Sequence, residues 1–278
     1  MVLNITPVTN HREREKGILV YPVYSRRSAG LSIGVNLYPN KKSCRFNCPY
    51  CEVFPFSNNA DFSLVQMEKD LQLAVESAVK QNIPIKDICF SGNGEPTLSP
   101  HFMEAFEAAE KIHLTACNTK LVVITNGTGL LQPEIFSMLE KKAAKNTSLN
   151  IWLKLDAGTP EWYQKINRSQ IPHKELIEKI KEFTSRAPVT IQTMLCGING
   201  EPPPEAEAKA WLNLVQELAA SAESGGNIRK VQLYGKARPA PEDPLACELP
   251  AEYLEERAAS LRRLFAEKGI TAPVEVYL

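Results

Sequence analysis

Strand and helix signatures alternate along most of this chain, and that alternation limits the folds open to it. Leu31, Ile33, Val35 and Leu37 interleave with Ser32, Gly34 and Asn36, the period of two that marks a half-buried strand. Leu64, Met67, Leu71, Val75 and Ala78 then recur at helical spacing. Further strands are predicted over residues 87–91, 121–125, 149–156, 189–195 and 228–234, with a closing strand at 274–277. Ser99-Pro100 opens a helix as N-cap and first-turn proline, with Phe102, Phe106, Ala109 and Ile112 as its buried face. Other helices are expected over 133–144, after Thr159-Pro160, over 204–220, and through Leu254, Ala258, Leu261 and Phe265. Strands separated by helices pair in parallel through right-handed crossovers. The expected fold is therefore α/β, a partial (β/α)6-type TIM barrel of parallel strands with outer helices. Pro202-Pro203-Pro204 and Gly225-Gly226 read as loops, because the alternation continues across them. The chain reads as a single domain, 1–278, with its core over residues 25–235 and a C-terminal extension over 236–278.

The strand faces carry a second clue. Trp152, Lys154 and Asp156 share one face of their strand; Thr190 and Gln192, then Gln232 and Tyr234, fall on the matching faces of later strands. The outer helices need the apolar faces, which leaves the polar ones to line the lumen. Buried Lys, Asp and Gln are costly unless partnered, and a polar small molecule inside the barrel would partner them. An antiparallel sheet wet on one face is the alternative, and the intervening helices fit it less well.

Cys44, Cys48 and Cys51 stand at C-x3-C-x2-C, with Tyr50 just before the last. Soft thiolate ligands select iron–sulfur clusters, zinc or Cu(I). A cubane is closed by four protein ligands, so three leave one iron open, as a reactive site requires. A structural zinc knuckle would need a further ligand, yet Cys89 is remote and no His lies nearby. Cys89, Cys117, Cys196 and Cys247 are isolated and read as small buried apolar residues. Seven cysteines without paired spacing outside the motif argue against a secreted disulfide framework and for a reducing cytoplasm.

Three more stretches follow strands. Gly92-Asn93-Gly94-Glu95-Pro96 offers glycines that let backbone come close to another group and a carboxylate suited to an ammonium ion. Thr125-Asn126-Gly127 ends the next strand, and Lys154 and Asp156 the one after. An aspartate can accept two hydroxyl bonds and a lysine can neutralise a carboxylate. A salt bridge or strand-end turn is the structural alternative for each.

The cysteine stretch is similar to the signature of the radical S-adenosylmethionine (SAM) enzymes. Residues 25–234 resemble one branch, the Fe–S oxidoreductases related to the tRNA wybutosine-synthesis radical enzyme. Ser25-Arg26-Arg27, Cys44 to Glu52, Ser91 to Leu98, and Lys154-Leu155-Asp156-Ala157 carry the closer match. The resemblance implies a [4Fe–4S] cluster on Cys44, Cys48 and Cys51, with SAM chelating the open iron. It implies reductive cleavage of SAM to a 5′-deoxyadenosyl radical that takes hydrogen from a substrate, with flavodoxin or ferredoxin as electron donor. It further implies that Tyr50 lies along the adenine and that Gly92, Asn93, Gly94 and Glu95 hold the methionine end. Asn93 departs here from the usual Gly-Gly-Glu-Pro. Thr125 and Asn126 would contact SAM, Lys154 and Asp156 would hold ribose hydroxyls or the carboxylate, and Gln192 would face it from the lumen. The glycine-containing segment Cys196 to Gly200 would flank the adenine.

Lys and Arg total 32, as do Asp and Glu, but the balance is uneven. Arg12, Arg14, Lys16, Arg26, Arg27, Lys41, Lys42 and Arg45 face only Glu13 and Glu15 up to Cys51. That asymmetry points to an anionic partner, RNA above all, or to a solvated face. The branch resemblance favours tRNA modification; a glycyl-radical-type activase acting on a protein is the other enzymatic reading, and an Fe–S or zinc sensor module the non-enzymatic one. No run approaches ~18 apolar residues, so no membrane span is expected. Residues 1–7 lack the charged-then-apolar pattern of a signal peptide.

Overall fold

The computed structural model describes residues 11–114, 119–220 and 228–278. Residues 1–7, Cys117, Gly225-Gly226 and the Arg12 side chain lie outside the described residues. The chain divides into two compact units: Met1–Cys44 with Val53–Thr125 and Thr147–Asn150, and Arg45–Glu52 with Asn126–Asn146 and Ile151–Leu278.

In the first unit β1 (Val20–Ser25), β2 (Gly30–Val35), β3 (Ile85–Phe90) and β4 (Lys120–Thr125) lie in that order. β2 pairs with β3, and β3 with β4, in parallel, as the alternation predicts. The antiparallel strand β1 is an addition. It is half-exposed along most of its length, so it shows no clean period, and its Pro22 suits an edge strand. β2 departs from its alternating pattern: Leu31 through Val35 are all buried. The polar Ser32 is accommodated by donating to the buried Asp87 of β3.

Helix α1 (Leu64–Lys80) is capped by Ser63, whose Oγ accepts from the Gln66 amide at 3.3 Å. It buries Met67, Leu71, Ala74, Val75 and Ala78, one stripe at three- and four-residue spacing. Helix α2 (Phe102–His113) starts later than Ser99-Pro100 implies. A 3-10 turn over Pro96–Leu98 comes first, His101 takes the capping position, and Ser99 Oγ accepts from the His101 amide at 3.2 Å. At its far end His113 is buried and Ile112 only half so. Phe90 lies 5.6 Å from Phe102 and 5.8 Å from Phe106, ring centre to ring centre. All three are fully buried, and each such ring contributes about 1.5–3 kcal/mol.

The second unit holds α3 (Pro133–Lys145), β5 (Leu149–Lys154) from Ile151 on, α4 (Pro160–Ile166), α5 (His173–Arg186), β6 (Val189–Leu195) and β7 (Gly197–Ile198). It continues through α6 (Glu205–Ala220), β8 (Ile228–Gly235), β9 (Ala246–Cys247), α7 (Ala251–Glu267) and β10 (Val274–Tyr277). β5, β6, β8 and β10 pair in parallel in that order. The helix expected after Thr159-Pro160 is two helices. Thr159 Oγ1 caps α4 by accepting from the Trp162 amide at 3.2 Å. The chain then breaks at Asn167-Arg168, where Arg168 takes a left-handed φ of 47°, and Pro172 precedes α5. The acidic, proline-rich stretch after β8 is less irregular than its composition implies, because β9 pairs antiparallel with β7.

The polar strand faces of this unit partner one another. Gln192 and Gln232 are both fully buried, and Gln192 Nε2 donates to Gln232 Oε1 at 2.7 Å. Gln232 Nε2 reaches the Tyr277 hydroxyl at 3.3 Å. Tyr277 donates to Glu275 at 2.6 Å, and Lys230 does so at 2.8 Å. These buried amides therefore find protein partners. Among the described residues no helix is long and apolar enough to cross a membrane.

Candidate functional site

The residues singled out from the sequence fall into two groups, one in each unit. In the first, the segment leading to Cys44 is stapled to the loop at the end of β3. The Ser43 amide donates to the Asn93 carbonyl at 2.9 Å, and the Glu95 amide donates to the Ser43 carbonyl at 2.9 Å. A Cβ on Gly94 would lie 1.7 Å from the Ser43 carbonyl oxygen, so only glycine permits this approach. Gly92 has a φ of 132°, and its absent Cβ leaves room for Asn36. Asn36 Oδ1 in turn accepts from the Asn93 amide at 3.1 Å. Asn93 is buried, and its Nδ2 donates to the carbonyls of Tyr38 at 3.0 Å and Arg14 at 3.2 Å. The glycine loop thus fixes the backbone that carries Cys44.

Glu95 closes this group. It is 3% exposed, and its Oε1 accepts from the Thr97 amide at 3.1 Å, Thr97 Oγ1 at 2.5 Å and Thr125 Oγ1 at 2.7 Å. Three donors on one oxygen fix the carboxylate's orientation. Burial pushes the Tyr38 hydroxyl up to about 12, helped by the charges of Glu95 and Cys44 and opposed by a Ser43 hydrogen bond.

The second group is centred on Asp156, whose side chain is wholly buried. Its Oδ2 accepts from the Tyr50 hydroxyl and from Asn167 Nδ2 at 3.0 Å. Its Oδ1 accepts from the Met194 amide at 2.9 Å and Lys154 Nζ at 3.4 Å. Lys154 Nζ also donates to the Tyr234 hydroxyl and lies 4.9 Å from the Tyr50 ring centre and 5.1 Å from that of Tyr234. Burial alone would lower the Lys154 ammonium; the Asp156 carboxylate and Tyr234 outweigh it and hold the group above its ordinary value. Burial, then the Asp156 charge, pushes the Tyr50 hydroxyl well up.

Cys48 and Cys51 join this group through a turn, the Cys51 amide donating to the Cys48 carbonyl at 3.1 Å. Phe46, also in the motif, packs edge-on against Tyr163 with ring centres 5.6 Å apart. Burial and the Asp156 charge push the Cys48 thiol up to about 11, against the opposing effects of Lys154, Tyr50 and Asn167. Cys44, Cys48 and Cys51 are half-buried and in no disulfide, whereas Cys89 and Cys196 are buried and Cys247 half-buried.

Asn126 directly follows β4, and Gln192 lies within β6. Asn126 Oδ1 accepts from the Thr128 amide at 3.0 Å and Thr128 Oγ1 at 2.7 Å, shaping the turn after β4. The Gln192 carbonyl accepts from the Leu155 amide at 2.9 Å, beside the Lys154–Asp156 stretch. Asn167 and Thr97 are site residues that the motifs alone do not name, and Tyr234 is named only for its strand face. Thr97 stands inside the glycine–glutamate stretch and Tyr234 on a polar strand face, so both carry a signal; Asn167 carries none.

The radical SAM superfamily profile matches residues 42–212, well over half of the chain. The chain belongs to the radical SAM superfamily. A UPF0026 protein of Helicobacter pylori is 30% identical over 166 residues, 59% of this chain and 50% of that protein. A UPF0026 protein of Synechocystis is 28% identical over 179 residues, 63% of each. The chain spans about half the length of the Helicobacter pylori relatives it matches. Among solved structures, a radical SAM methyltransferase from Sphaerobacter thermophilus superposes with a TM-score of 0.64 at 17% identity, covering 93% of this chain and 69% of that one. Streptococcus suis SuiB bound to S-adenosylmethionine gives 0.63 at 15% identity, covering 87% and 50%. TYW1 with a lysine-pyruvate adduct bound gives 0.53 at 16% identity, covering 84% and 73%. Likeness at this level shows the fold, and the fold is the partial α/β barrel of parallel strands expected from the alternation.

Proposed function

We propose that this chain is a radical SAM enzyme, read as one catalytic domain, in which Cys44, Cys48 and Cys51 hold a [4Fe–4S] cluster and SAM binds at its open iron. The observation that carries the reading is the stapling of the Cys44 segment to the glycine–glutamate loop through Ser43, Gly94 and Glu95, within the stretch that matches the superfamily. The donor set fits the cluster. Three cysteines outside any disulfide stand at the motif, and Cys48 Sγ already faces an N–H donor, the kind of partner that a ligating thiolate uses. Among the described residues no three His, Cys, Asp or Glu side chains gather to hold one metal ion. Soft thiolates suit an iron–sulfur cluster, and residues 44–51 hold no fourth Cys or His to close a structural zinc site.

When bound, the cluster supplies the electron that cleaves SAM to methionine and a 5′-deoxyadenosyl radical able to take hydrogen from a substrate. Flavodoxin or ferredoxin would supply that electron. The protein's own residues bind and orient. Glu95, fixed by Thr97 and Thr125, would accept from the amino group of SAM, beside the Gly92-Asn93-Gly94 backbone. Lys154 would neutralise the carboxylate or meet a ribose hydroxyl. Asp156, whose oxygens already accept from four protein donors, would act by holding Tyr50 and Lys154 in place. Tyr50 would lie along the adenine, with Thr125, Asn126 and Gln192 completing the contacts.

Anaerobic reconstitution with iron and sulfide, followed by reductant and SAM, tests this. Formation of 5′-deoxyadenosine that disappears in Cys44→Ala, Cys48→Ala and Cys51→Ala supports the reading. An intact cluster that yields none with excess reductant overturns it.

For the substrate, RNA is the reading with an observation behind it. The basic residues Arg26, Arg27, Lys41, Lys42 and Arg45 flank the cysteine motif, and the fold likeness extends to TYW1. A protein substrate activated as a glycyl radical is the alternative. A reducing cytoplasm is the compartment that suits a cluster on cysteine thiolates.

A further inference from the structure

The first turn after α4 places one amide between the cysteine motif and the buried carboxylate. Asn167 is 2% exposed. Its Nδ2 donates to Asp156 Oδ2 at 3.0 Å and to Cys48 Sγ at 3.5 Å, so both N–H groups of the amide are used. Its carbonyl accepts from the Asn47 amide at 2.8 Å, and its own amide donates to the Tyr163 carbonyl at 2.9 Å. The carboxylate settles which end of the side chain is which, because an amide oxygen turned toward Asp156 would meet another acceptor. Arg168, next in the chain, holds a left-handed φ of 47° and pairs with Glu242 at 2.6 Å. The turn that presents Asn167 is thus fixed from both sides.

We propose that Asn167 is a positioning residue that tunes the reduction potential of the cluster through its N–H···S bond to Cys48. The inference rests on the radical SAM reading above. A reduced cluster carries one more negative charge than an oxidised one, and that charge spreads onto its sulfur ligands. A hydrogen bond to a ligand sulfur therefore stabilises the reduced form more and raises the potential. The same side chain holds Asp156, a second negative group nearby, by its other N–H. Asn167 thus lowers the electrostatic cost of adding an electron beside a buried carboxylate.

The test is a potentiometric titration, read by the electron paramagnetic resonance of the reduced cluster, on the reconstituted wild type, Asn167→Leu and Asn167→Asp. Leucine keeps the shape and removes both donors. Aspartate keeps the shape and adds a charge. At a fixed potential near the wild-type midpoint, the ratio of reduced to oxidised cluster should fall about tenfold in Asn167→Leu, a shift of about 59 mV for one electron, and further in Asn167→Asp. Iron and sulfide contents should match the wild type. Unchanged midpoints in variants that hold a full cluster overturn the proposal. So does loss of the cluster in both variants, which would make Asn167 a structural tether only. If the wild type itself holds no cluster, the radical SAM reading fails first, and the two failures are told apart.

Discussion

Replacing Asp156 by alanine should destabilise the cluster-free protein by about 3–5 kcal/mol, the usual cost of breaking a buried ion pair from one side. The structure sets that scale. The Asp156 side chain is 0% exposed and that of Lys154 is 16% exposed, so the ammonium left behind has little water to turn to. The Tyr50 hydroxyl, the Met194 amide and Asn167 Nδ2 also lose their acceptor, and each buried orphan costs about 1–3 kcal/mol before relaxation. Cation–π contact with the Tyr50 and Tyr234 rings offsets part of the loss for Lys154. Denaturant unfolding followed by tryptophan fluorescence reports on the right region, because Trp152, Trp162 and Trp211 are buried in the same unit. Lys154→Met alone and combined with Asp156→Ala completes a double-mutant cycle. The account predicts a coupling above about 1 kcal/mol, with the double variant recovering part of the single loss. A single-variant loss below about 1 kcal/mol, the level of an exposed pair, would refute the reading of Asp156 as the hub of a buried network.

Gly94→Ala should prevent normal seating of the Cys44 segment, since its Cβ would lie 1.7 Å from the Ser43 carbonyl oxygen; iron bound after reconstitution should drop sharply, and a full complement of iron would contradict it. Glu275 is held below its ordinary value: burial works the other way, but hydrogen bonds from Lys230 and Tyr277 outweigh it. A carboxylate depressed on folding adds stability above its unfolded value near 4.5 and loses it as pH falls through the folded value. Glu275→Gln should therefore flatten the acid limb of the stability curve, and an identical acid limb would count against that pairing. Arg26→Ala with Arg27→Ala should weaken binding of bulk tRNA and shrink its salt dependence, because fewer counterions are released; binding that ignores both salt and the arginines would remove RNA from consideration.

The fold was legible in the chain to the extent that burial was one-sided. Met67, Leu71 and Val75 face one way, so α1 was readable; β1, half-exposed along most of its length and interrupted by Pro22, was not. Pro172 was the one local sign of the two-helix break, but it does not place it at Asn167-Arg168, where Arg168 adopts a left-handed φ without being glycine. At the site, local motifs were readable and long-range partners were not. Gly92, Gly94 and Glu95 announce a tight loop, yet the sequence does not say that its tightness serves Ser43. Lys154 and Asp156 share a strand face, but the groups that satisfy Asp156 come from residues 50, 167 and 194. The polar faces of single strands do not reveal that neighbouring strands set buried Gln192 and Gln232 against each other.

The central claim is an open iron held by Cys44, Cys48 and Cys51 and completed by SAM. Its most direct test is the electron paramagnetic resonance spectrum of the anaerobically reduced protein before and after SAM is added. The account predicts a [4Fe–4S] signal that changes shape on addition of SAM, keeps that response in Cys89→Ala, and vanishes in each of the three motif variants. A signal indifferent to SAM, or a cluster that survives loss of Cys44, Cys48 or Cys51, would contradict it.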